Sequence, residues 1–130
     1  MEFAIVLPLL VVLVFGIIEF SILFYNKAML TNASREGARE GIVFVPDRAS
    51  ELGTLNANIT DKVEAYCEDY LITFGGGSLT VPTPIWSGTD PGSSLTVTAK
   101  YDYDFLVLPN FILSLIGGTD LEAVTVMRLE

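Results

Sequence analysis

The stretch from residue 3 to residue 25 reads FAIVLPLLVVLVFGIIEFSILFY and carries one charge, Glu19. Read as a helix, these residues span roughly 34 Å at 1.5 Å per residue, enough to cross a bilayer of about 30 Å. Two residues are unusual for a plain anchor. Glu19 lies three-quarters of the way along, where a lone carboxylate in lipid costs about 3 kcal/mol. Pro8 removes one backbone hydrogen bond and is expected to kink or loosen the helix.

Outward from this run the pattern changes but the helix signal continues. From Asn26 to Val45 there is no proline, and Pro46-Asp47 is the first clear breaker. The sequence therefore predicts one helix from Phe3 to about Val45, roughly 65 Å long. It has an apolar stem at 3–25 and an amphipathic half at 26–45. Ala33, Gly37 and Gly41 recur every four residues and form a stripe without bulk that admits a close backbone neighbour. That neighbour is either the protein's own sheet or another subunit. Arg35, Glu36, Arg39 and Glu40 interleave with the stripe. Glu36 and Arg39 have helical spacing for an ion pair, and Arg35 or Arg39 is a candidate to meet a carboxylate on a neighbouring subunit.

Residues 47–130 read as a small globular head. The stretch 47–58 is polar and reads as a loop. Ile59, Val63, Tyr66, Cys67, Tyr70, Leu71 and Phe74 then mark an amphipathic helix of about four turns, with Asn58 or Thr60 as its cap and Gly75-Gly76-Gly77 as its end. Leu79 and Val81 begin a short strand. Thr83–Ser93, rich in turn signals, reads as an exposed loop holding Trp86. Leu95, Val97, Ala99, Tyr101, Tyr103 and Phe105 alternate with polar residues in the clearest strand, and Leu121–Leu129 forms another. Between them, Leu106–Ile116 is apolar and reads as a core cover or as a patch for a partner or the membrane surface. The class is α+β: a long N-terminal hydrophobic helix (1–46), then a head (47–130) with one amphipathic helix and a roughly three-stranded antiparallel sheet.

Composition narrows function. The 130 residues are 51% apolar with a net charge of −9, one cysteine and no histidine. Eleven acidic residues lie from position 49 onward against Lys62, Lys100 and Arg128, which disfavours nucleic acid as a partner. A single cysteine forms no intrachain disulfide, and without histidine the usual triads and His-containing metal sites are excluded. Asp102 and Asp104 share a strand face about 7 Å apart. Such a pair is able to hold a cation or act as acid and base, but on a wet face it reads as solvated. No phosphate loop or nucleophile–base pair is present, so the reading is of a protein that is not an enzyme, with no cofactor, metal or small-molecule substrate.

The residues also resemble a known family. Glu2-Phe3-Ala4-Ile5-Val6-Leu7-Pro8-Leu9-Leu10 with Phe15-Gly16-Ile17-Ile18-Glu19-Phe20, then Leu30-Thr31-Asn32-Ala33-Ser34-Arg35-Glu36-Gly37-Ala38-Arg39, and finally Val124–Glu130, are similar to signatures of TadE-like proteins. These are pseudopilins of tight-adherence pili. The resemblance implies cleavage by a prepilin peptidase, residence in the inner membrane before assembly and then a place in an extracellular filament. Partners would be copies of itself or other pilins. Glu2-Phe3 matches the glutamate–aromatic pair that helps register an incoming subunit. It stands nearer the start than is usual, which implies missing leader residues or different processing. Major pilins of these systems are shorter, so the head favours a pseudopilin or a filament built from this larger type. The implied assembly residues are Glu2, Phe3, Pro8, Gly16, Glu19, Ala33, Arg35, Gly37, Arg39 and Gly41, with Glu19 finding a donor on a neighbouring stem. Two other readings stand beside a repeating filament subunit: a minor assembly factor, and a single-pass protein binding a ligand through its Trp86 loop.

Overall fold

A computed structural model describes residues 2–106 and 120–130, with Glu2 described in its backbone alone. Helix α1 runs from Glu2 to Ile42 without interruption and is about 61 Å long at 1.5 Å per residue. Pro8 sits in its second turn and does not end it. The helix stops three residues short of the expected Val45. The physical reason is Arg48, whose guanidinium donates to the carbonyls of Gly41 at 2.6 Å and Val43 at 2.8 Å. Those carbonyls have no partner further along the helix, and a buried cation suits the negative end of the helix dipole.

Helix α2, Arg48–Tyr70, returns alongside α1. It corrects the expectation of a loop at 47–58, because the helix begins eleven residues before Ile59. Arg48, Leu55, Ile59, Val63 and Cys67 form its buried seam. Gly53, Thr54, Asn56 and Asn58 are weak helix formers, yet packing of Leu55 carries the helix through them. The far end is also corrected: α2 stops at Tyr70, four residues before Phe74. Asn26 on α1, fully buried, donates to the Ile72 carbonyl at 2.8 Å and accepts its N–H at 2.9 Å. That reciprocal pair gives Ile72 the bonds of a strand and holds the chain extended. Gly77 follows with φ 89°, where an added Cβ would meet the Asp102 carbonyl and the Tyr101 hydroxyl.

The sheet has four strands, β1 (Leu79–Thr80), β2 (Ile85–Trp86), β3 (Ser94–Asp102) and β4 (Asp120–Arg128), all paired antiparallel. β3 is central, with β4 along one side and the two short strands on the other. Leu95, Val97, Ala99 and Tyr101 point inward, and β4 is in register with them, Val97 opposite Thr125. The helices cover this inner face, Ser34 of α1 meeting Thr125 Oγ1 at 2.6 Å. The opposite face is open, with Lys100 and Glu122 paired at 3.6 Å. β2 is a further correction, since it falls within the expected 83–93 loop. Trp86 donates its indole N–H to Asn56 at 2.8 Å and lies 5.6 Å beneath the Arg48 guanidinium. β3 closes at Asp102, so Asp104 and Phe105 lie beyond the strand. The expected apolar segment from 107 to 116 lies outside the described residues.

Candidate functional site: the uncovered stem

The surface with no counterpart in a soluble domain is the lower half of α1. Every described side chain from Phe3 to Phe15, with Ile17 and Ile18, is exposed, and Phe3 is 87% exposed. The stem is apolar all round and has no polar face to turn to water. It is long and apolar enough to cross a membrane. Among the described residues, no atom lies within 4 Å of where a Gly16 Cβ would stand.

The head begins to cover the helix at Glu19. This residue is 4% exposed and accepts the backbone N–H of Leu106. One of its donors thus comes from the protein's own head, where the expectation was of a neighbouring stem. The Tyr103 hydroxyl is buried nearby and has no hydrogen-bond partner among the described residues. Its pKa is raised, first by burial and then by the Glu19 charge. Sequence reading missed Tyr103 as anything but a core residue.

The small-residue stripe also belongs to this chain. The position of a Gly37 Cβ collides with Val63, and that of Gly41 with Leu95 and Ile59, while Ala33 is fully buried. The stripe packs against α2 and the sheet of the same molecule, the first of the two kinds of neighbour expected for it. Arg35 and Arg39 are exposed on the opposite side of α1, with no ion pair among the described residues. Phe3 and Pro8 are exposed in the stem, and the Glu2 side chain lies outside the described residues. The structure thus gathers Phe3, Pro8 and Gly16 on a free surface and separates them from Ala33, Gly37 and Gly41 in the core.

Asn26 and Arg48 were missed by sequence reading, although a signal exists. Glu19, Asn26, Leu30, Ala33, Gly37 and Gly41 follow helical spacing, so the two polar residues share the inward face. Trp86, the anchor of the ligand-binding reading, is committed to Asn56 and Arg48. Asp102 is exposed and accepts the Ser78 hydroxyl at 2.7 Å, and among the described residues no three acidic, histidine or cysteine side chains cluster as a metal site.

Fold and surface define a helix-first α+β architecture with an apolar stem long enough to cross a membrane. Residues 1–39 match the family model described as TadE-like protein, the family that the sequence resembles. The match covers the stem and the Leu30–Arg39 signature; the head lies beyond it. No curated protein and no solved structure matches the chain.

Proposed function

We propose that this chain is a pilin or pseudopilin subunit of a Tad-type surface filament, anchored in the inner membrane first and then assembled through its stem. It works by association and not by catalysis. One observation carries the reading: the apolar surface of Phe3–Ile18, exposed among the described residues. Such a surface requires lipid or other apolar helices around it, and a filament core of sister stems supplies the second. Burial of a leucine-sized side chain contributes about 2 kcal/mol, so a stem of this length drives association strongly before ordering costs. A prepilin peptidase on the cytoplasmic side is the proposed processing partner. The acidic heads then face outward.

The size of the head favours a minor pseudopilin as the second reading. Surface fibres sheared from producing cells test both. A repeating subunit is abundant in them; a minor one is scarce, yet its deletion removes the fibres. Intact fibres after deletion, with the protein confined to membranes, contradict both. Charge reversal at Glu19 is a poor probe, because it also breaks the bond to Leu106. Gly16→Leu is cleaner, since among the described residues nothing lies within 4 Å of the added Cβ. It is expected to leave membrane insertion intact and reduce fibre yield.

A further inference from the structure

The apolar surface of the stem continues onto the head where the two meet. Phe74 and Leu106 line an apolar cleft together with Phe15, Ile18, Glu19 and Ile22 of the stem. Phe74 is 47% and Leu106 65% exposed. Ile72, held to Asn26 by its two hydrogen bonds, is exposed just above them. On the opposite side of α1, Phe24 is 70% exposed, with Phe20 one turn below it.

From this we infer that the lower rim of the head, Ile72, Phe74 and Leu106 with Phe20 and Phe24 of α1, is seated in the interfacial layer of a lipid bilayer. The inference rests on the membrane-anchored reading of the stem and adds a second point of lipid contact. Three physical features favour lipid as the occupant. The rim is continuous with the apolar stem. Residues 71–77, which form its underside, contain no charge. Around the same level of α1 stand Phe74, Phe20 and Phe24, aromatic side chains of the kind enriched at membrane–water interfaces, with Lys27 the first cation above them. The arrangement also resolves the position of Glu19. At hydrocarbon depth a lone carboxylate is costly, and here the head screens it from the acyl chains and supplies the Leu106 N–H.

Tryptophan quenching by brominated-acyl phosphatidylcholine in reconstituted full-length protein tests this. The native Trp86 stacks under Arg48, which binds Gly41, about 33 Å along α1 from Glu19. Wild-type emission is therefore an unquenched background. Leu10→Trp reports anchoring and Phe74→Trp reports the rim, with Leu106→Trp as a second rim position. The added emission of both rim variants is expected to fall roughly twofold, as for an indole at interfacial depth. Quenching of Leu10→Trp without quenching at either rim position overturns the inference and leaves the anchor standing. Rim emission that responds to the protein-to-lipid ratio, and not to bromination, assigns the rim to a second copy and also overturns it. Absence of quenching at all three positions removes the anchored reading itself.

Discussion

Three buried side chains decide how the head grips its helix. Glu19 fixes the lower limit of contact, Asn26 replaces a strand partner for Ile72, and Cys67 fills the seam of α2. Replacing Asn26 by leucine keeps the volume but strands the Ile72 N–H and carbonyl. Unpaired buried groups cost about 2 kcal/mol apiece, so thermal melts of detergent-solubilised Asn26→Leu should show a clear drop in stability with little change in helix content. The Cys67 thiol is 2% exposed, and its pKa rises from the ordinary 9.0 to about 11, first through burial and then through the Glu64 charge. The folded state therefore holds its thiol proton more tightly than the unfolded one. That contribution to stability is complete below pH 9 and is lost as pH rises through 11. Iodoacetamide near neutral pH should leave the native protein unmodified and alkylate it rapidly once it is unfolded.

At the level of elements, the local periodicities were legible and the long-range contacts were not. The apolar run at 3–25, the i, i+4 steps around Ile59 and Val63, and the alternation from Leu95 to Tyr101 each announced an element that the structure contains. What the sequence hid lies where a distant side chain overrides local preference. Polar, glycine-containing residues 48–58 are helical because Leu55 is buried. Ile72 is extended because Asn26 binds it across forty-six positions. β2 forms inside a turn-rich stretch because Ile85 and Trp86 meet Thr96 and Leu95. The site was legible to the same degree. Exposure of Phe3 and Pro8 followed from composition, whereas the burial of Glu19, Gly37 and Gly41 within the same molecule required the fold. Arg48 tests this view of elements. Arg48→Met preserves much of the packing on Trp86 but leaves the Gly41 and Val43 carbonyls unpaired. It should lower stability by about 1–3 kcal/mol, read as a shifted denaturation midpoint, with loss of order centred on the α1–α2 turn in hydrogen exchange.

Across the whole molecule the division is between a self-sufficient head and a stem that is not. The head closes its core with its own helices, including the small-residue stripe that seemed open to a neighbour. Nothing in the described chain closes over Phe3–Ile18. The account therefore places all intersubunit burial low on α1 and leaves the acidic head facing solvent. Cross-linking of Leu10→Cys in cells, using a thiol-reactive bismaleimide, tests that claim most directly. Native Cys67 is buried and gives a silent wild-type control. The account predicts a ladder of covalent oligomers from Leu10→Cys in the sheared fibre fraction; a product that stays monomeric in the membrane, with fibres that lack it, contradicts the account.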